Sequence, residues 1–325
     1  MLQSPPIAQK KSKGGSTEAP DRFSFSGHQS FALRIAWLPK TVSTLDRGLD
    51  PFADPRLGTQ MLGLGKNMVE SLRYWVEFFG VVEPMKPGIQ PVPTEFGRLI
   101  FGAKGYDRFL EDEPTLWLLH WRGTAASSRP YFAWHWLFNI HLEPDFTYDH
   151  AVAEFKAHCA TYARAMSDTT VCQHLDVFLS TYVASTPRAG AVAEDLLDSP
   201  LAALGLIKEN DLGDSGRSRE GGYLVDAGRK PTLSDEVFRF ALHDWWSRRH
   251  AAEETISYRQ MCTGENSPGR VFRLPEHDVQ KRLTTLVSRW PKEFSLLESN
   301  HQRVVRRDRT PDASALLRTV YDRSS

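Results

Sequence analysis

The sequence predicts a mainly helical chain with short β-hairpins, in the α+β class. Three observations predict it. Apolar residues recur at helical period through several windows of 10 to 18 residues. Extended segments are short and follow directly on helices, as they do in helix-plus-hairpin units. Pro and Gly fall between these segments rather than inside them. The pattern divides the chain into a polar tail at 1–21, an N-terminal winged helix-turn-helix at 22–105, an acidic helical region at 106–254, and a basic winged-helix-like unit at 255–325.

In chain order, residues 1–21 are rich in Gln, Ser, Pro, Lys and Gly without periodicity and are expected to be disordered. Order should begin at Arg22. A helix is expected over 31–38, stopped by Pro39, then a second over 41–47 and a loop over 50–56. The helix at 66–79 is well marked. Met68, Leu72, Trp75 and Phe79 form one stripe, and Gly80 stands where a C-cap is needed. An extended segment at 81–83, a loop at 84–91, a return at 92–94 and a short helix at 95–101 complete a winged-helix order. The middle region should hold helices over 116–122, 131–139, 149–166 and 170–183. A break follows at 185–188, a short helix leads into a strand over 199–207, a polar loop covers 211–220, and a strand covers 223–225. Ser234 is placed to cap a helix through His250, with Asp235 and Glu236 in its first turn. The last region should form helices at 257–262 and 275–290, with a turn at 267–270 between them. A hairpin of 293–298 and 303–306 then closes around 299–301. No repeat of fixed period is visible.

Charge narrows the function classes. The chain is formally neutral, with 40 basic and 40 acidic residues. Residues 22–104 carry 10 basic against 7 acidic, residues 105–255 carry 14 against 23, and residues 256–325 carry 13 against 8. Neutrality argues against a protein that coats DNA non-specifically, while the basic ends permit localised contact. Three Cys at wide spacing support neither a disulfide framework nor a zinc site. With no signal peptide and no membrane-spanning run, the chain is expected to be soluble and cytoplasmic. The clustered Trp residues are expected to be core anchors.

Four constellations carry chemistry. The outer face of the 66–79 helix presents Lys66, Asn67, Arg73 and Tyr74, residue types that pair with base edges or phosphates, although Glu70 and Glu77 share that face. Its alternative is a solvated helix face. Phe25 to Phe31 packs Ser26, His28 and Gln29 closely, which suits phosphate contact or proton transfer; the alternative is a capping turn. Glu111, Asp112 and Glu113 can serve a divalent cation, and equally the start of a helix. The tail residues Arg306 and Arg307, with Arg303 and Arg309, form a basic patch, and Arg98 lies in the 93–101 segment; these are further candidates for phosphate contact or a charged edge strand. His120, His135 and His141 match no zinc spacing and read as core or interface histidines. No nucleotide-binding loop, dinucleotide fingerprint or hydrolase elbow is present.

Six segments together are familiar: FSGHQSFALRIAWLPK (25–40), GLGKNMVESLRYW (63–75), PTEFGRLIF (93–101), LEDEPTLWLLHW (110–121), LDSPLAALGLI (197–207) and SPGRVFRL (267–274). They resemble a bacterial domain family of unknown function, the SspB-like proteins of DNA phosphorothioation and related anti-phage islands, over roughly 22–290. The resemblance implies a double-stranded DNA partner and nicking of one strand. It also implies association with sulfurtransferase and ATPase components that place sulfur on the phosphate. It carries to Ser26, His28 and Gln29 in the first segment and to Lys66, Asn67 and Arg73 in the second. The resulting expectation is a DNA-binding nickase, with His28 for proton transfer or phosphate contact and Glu111 and Asp112 as the carboxylates. Mg2+ or Mn2+ would be compatible with that chemistry. The alternatives are a non-catalytic winged-helix adaptor that recruits the modification machinery and a transcriptional regulator.

Overall fold

The computed structural model describes residues 23–125, 130–162, 166–184, 199–210, 222–298 and 303–322. The expected tail at 1–21, break at 185–188, loop at 211–220 and turn at 299–301 lie outside the described residues.

Helices dominate, with two small antiparallel sheets of three strands each. The N-terminal part is α1 (Trp37–Asp46), α2 (Pro55–Leu62), α3 (Lys66–Phe78) and α4 (Glu95–Phe101). Instead of two helices broken at Pro39, a single α1 runs through that position. Pro39 lies in its first turn, where the missing N–H has no intrahelical partner to lose. The unforeseen α2 is capped by Asp54, has Pro55 at its first position and stops at Gly63, whose φ is 65°. The expected hairpin after α3 is reduced to one antiparallel bridge, Val82 to Pro93. Pro84, Pro87, Pro91 and Pro93 remove the donors a longer ladder would need.

The middle part contains α5 (Glu113–Ala125), α6 (Phe132–His135), which continues as a π-turn over Trp136–Ile140, then β1 (Asp145–Thr147), α7 (Tyr148–Thr161), α8 (Asp168–Tyr182), a 3-10 turn (Pro200–Leu204), β2 (Ile207–Asn210) and β3 (Gly222–Val225). The strand order is β1-β3-β2, with Phe146 opposite Tyr223. The strands expected after the 199–207 segment and at 223–225 both form, and the unforeseen β1, too short to leave a period in the sequence, joins them in one sheet.

The last part is α9 (Asp235–Arg249), β4 (Thr255–Ser257), α10 (Tyr258–Thr263), α11 (Pro268–Val271), α12 (Glu276–Arg289), β5 (Phe294–Glu298), β6 (Arg303–Arg307) and α13 (Ala313–Tyr321). Its sheet order, β4-β6-β5, repeats that of the middle sheet. Each leading strand enters a helix through a Ser or Thr cap: Thr147 accepts from His150 N–H and Ser257 from Gln260 N–H.

The core is aromatic. Trp117, Trp121, Trp134, Trp136, Trp245 and Trp246 are all buried, as their clustering predicts. Among the described residues, no helix is long and apolar enough to cross a membrane.

Candidate nucleic-acid interface

The two segments singled out first in the sequence meet in space. The Phe25–Phe31 loop lies along α3. Ser71 Oγ donates to the His28 carbonyl at 2.8 Å, and Trp75 Nε1 donates to the Phe31 carbonyl at 3.0 Å. Gly27, at φ 115°, presses against the Tyr74 ring so closely that a Cβ there would stand 2.0 Å from it. Ser26 is exposed and Gln29 half-buried beside this contact. Gln29 Nε2 donates to the Glu70 carboxylate at 3.2 Å, so the acidic residue on the outer face has a neutral donor bound to it.

Lys66, Asn67 and Arg73 are exposed on the same helix. α3 begins at Gly65 without a side-chain cap and without an acidic residue in its first turn. Its first N–H groups and positive dipole end therefore face outward beside Lys66, an arrangement that suits an anion. The loop thus meets α3 at Glu70 and Tyr74, on the helix that exposes Lys66, Asn67 and Arg73.

His28 lies beneath that contact, 1% exposed. The Ala133 N–H donates to His174 Nε2 at 3.1 Å, which leaves the His174 proton on Nδ1. That Nδ1–H donates to His28 Nε2 at 3.0 Å, and His28 Nδ1–H donates to the Gln29 carbonyl at 2.8 Å. Both rings are neutral and fully partnered. Burial pushes the His28 imidazole down to about 4, against the opposing effect of the Gln29 carbonyl. Burial also drives His174 well below its ordinary value, helped by His28. The geometry gives His28 the part of a positioning residue: its ring ties the loop to α8 through His174, while its backbone carbonyl takes the Ser71 hydroxyl of α3. His174, which the sequence reading missed, lies 146 positions away, and no local signal connects the two.

The remaining sequence candidates are dispersed. The Glu111 and Asp112 N–H groups donate to the Asp107 carboxylate at 2.8 and 3.0 Å, forming the turn that precedes α5. Glu111 is exposed and lines a cavity of about 530 Å3 with Lys40, Arg47 and Arg108. Arg98 donates to the Pro93 carbonyl. Arg306 donates to Asp308 at 2.7 Å, while Arg307 reaches Ser247 at 3.1 Å and lies over the Trp246 ring. Arg307 thus packs against α9. His120 is buried between the Tyr182 hydroxyl and the Val271 carbonyl, and the buried His141 donates from Nε2 to the Asp145 carbonyl at 2.9 Å.

The DUF4007 model, described as a protein of unknown function, matches residues 25–321. The chain belongs to the DUF4007 family. This DUF4007 chain is similar to two solved structures. A magnesium ion-bound SspB crystal structure matches with a TM-score of 0.78 and 26% identity, covering 93% of this chain and 89% of that one. A second SspB crystal structure matches with a TM-score of 0.77 and 25% identity over the same shares. Comparison with curated proteins returns no match.

Proposed function

We propose that this chain is a double-stranded DNA-binding component of a bacterial DNA phosphorothioate modification system, acting beside sulfurtransferase and ATPase components and nicking one strand. The observation that carries the reading is the likeness to SspB across 93% of the chain at 26% identity. The polar surface on α3 supports DNA contact: Lys66 and Arg73 suit phosphates or guanine, and Asn67 suits adenine. In this reading the N-terminal and C-terminal units act as winged helices.

One SspB structure holds magnesium. Among the described residues of this chain, no three His, Cys, Asp or Glu side chains gather as a metal would require. Asp107 is occupied by two backbone N–H groups, and Glu111 and Asp112 offer one or two carboxylates without a cage. The described residues therefore do not fit a preformed magnesium centre.

Relaxation of supercoiled plasmid by the purified chain, with Mg2+, with Mn2+ and with EDTA, tests the nicking role. Conversion to open circles is expected. Binding without conversion under every condition would overturn nicking and leave the second reading, a non-catalytic adaptor or regulator. That reading draws support from His28, whose ring offers no free nitrogen to a substrate.

A further inference from the structure

We infer that the cavity between α1, the end of α2 and the turn before α5 binds a nucleotide, with the base inward and the phosphate at the cationic mouth. The inference stands on the cavity alone and goes beyond the nicking reading above, so either can fail without the other.

The cavity holds about 530 Å3, the size of a small organic ligand and far more than a lone ion or water needs. α1 forms one wall at helical period: Ala36, Lys40, Thr44 and Arg47 recur at steps of three and four residues. Leu62 ends α2 and Phe101 ends α4, and both are buried, which gives an apolar floor. The turn before α5 forms another wall. Leu110 is buried there at a φ of 61°, held by the Asp107 carboxylate, which accepts from the Glu111 and Asp112 N–H groups. Few residues other than Gly adopt that conformation. With Leu110 turned into the core, both of its neighbours, Phe109 and Glu111, line the cavity.

The lining selects the ligand. Phe109 is 62% exposed and Ile35 43%, two large apolar side chains left in water at the mouth. A flat apolar body would cover them. Lys40, Arg47 and Arg108 are exposed around the same space, against the one carboxylate of Glu111. Lys40 donates to the Leu62 carbonyl at 3.3 Å, and Arg47 to the Ser43 carbonyl at 3.2 Å and the Thr44 hydroxyl at 3.3 Å. The Arg108 guanidinium lies 5.4 Å from the Phe109 ring centroid. These partners are neutral, so the positive charge remains for a phosphate. Glu111 disfavours a simple organic anion, which it would repel. It suits a base that carries an amino group, which would donate to it. An aromatic face, cations for a phosphate and one acceptor carboxylate together describe a nucleotide. The nucleotide is either free in solution or unstacked from a DNA strand, and the chemistry of the cavity is the same for both.

Two experiments on the full chain separate these sources. Calorimetric titration with CMP, UMP and ribose 5-phosphate tests the free nucleotide. Anisotropy with a duplex carrying one unpaired cytosine, against the fully paired duplex, tests the unstacked one. Tighter binding of CMP than of ribose 5-phosphate assigns the free source, and preference for the unpaired duplex assigns the DNA source. In the arm that responds, Phe109→Ala is expected to weaken binding by about 10- to 100-fold through lost stacking. The pair Arg47→Ala and Arg108→Ala should weaken it by about 10-fold or more. Glu111→Ala should erase the preference for cytosine over uracil or thymine. Thermal unfolding should be unchanged, because these four side chains are exposed. No preference in either arm, or binding that the Phe109 and arginine changes leave unmoved, overturns the proposal. Plasmid nicking that persists in that case leaves the nicking reading intact, and CMP binding without nicking overturns only the nicking.

Discussion

At the scale of single residues, His28 shows how context assigns a role. Its neighbourhood in sequence, Ser26 to Ser30, is polar and suits chemistry. Its neighbourhood in space is Trp75, Tyr131 and His174, with ring centroids 6.4, 5.1 and 5.3 Å away. Removing the ring would open a cavity and orphan the His174 Nδ1–H. His28→Ala is therefore expected to lower stability by about 2–4 kcal/mol, measured by urea unfolding. A variant of undiminished stability that had lost plasmid nicking would instead restore His28 to the chemistry. The capping-turn alternative allowed for a chain-bonded His28, but nothing local marked His174, which enters from α8. The neighbouring exposed residues were more legible. Lys66, Asn67 and Arg73 fall on the outer face because the apolar stripe of α3 leaves them no other.

At the scale of elements, caps and stripes carried most of the information. Thr94, Ser234 and Ser257 each accept a backbone N–H at a helix start, and the helices they begin match the sequence expectation closely. Ser257 forms a capping box with Gln260, joining strand β4 to helix α10. Ser257→Ala should destabilise the chain by about 1 kcal/mol in chemical denaturation. A cost near zero would mean that β4 pairing alone sets the start of α10. Short elements were illegible for a plain reason. A strand of three residues such as β1 contains one inward side chain, Phe146, and one point defines no period. The N-terminal wing failed from the opposite direction. Its position was correct, but four prolines deny it the donors of a ladder, and only the Val82–Pro93 bridge forms.

At the scale of the whole molecule, α13 ties distant parts together. It lies against α4 and α9, buries Leu316 and Leu317, and places the Tyr321 hydroxyl 2.8 Å from Thr115 Oγ1. The buried histidines give the fold a common pH response. Burial pushes His28, His120 and His243 down to about 4, and drives His174 well below its ordinary value. These rings are neutral in the folded chain, whereas the unfolded chain protonates them near the ordinary value of 6.5. Their contribution is complete above that value and is lost as pH falls toward 4. Each should add about 1.4 kcal/mol per pH unit to the slope of stability across that window. Urea unfolding at several pH values measures the slope, and His120→Gln should reduce it by one group's share. An unchanged slope would show that His120 does not contribute in this way.

By itself, the sequence determined the helical class, most helix starts, the core tryptophans and the kinship with SspB-like proteins. These depend on local period, capping chemistry and motifs that survive in order along the chain. Only the tertiary structure decided which polar residues face solvent. It buried His28 against a ring 146 positions away, gave the Glu111 and Asp112 amides to Asp107, turned Arg307 onto Trp246, and set Lys40, Arg47, Arg108 and Glu111 around one cavity. The physical reason is that exposure is set by contacts between segments far apart in the chain, and local period records only which side of an element is apolar.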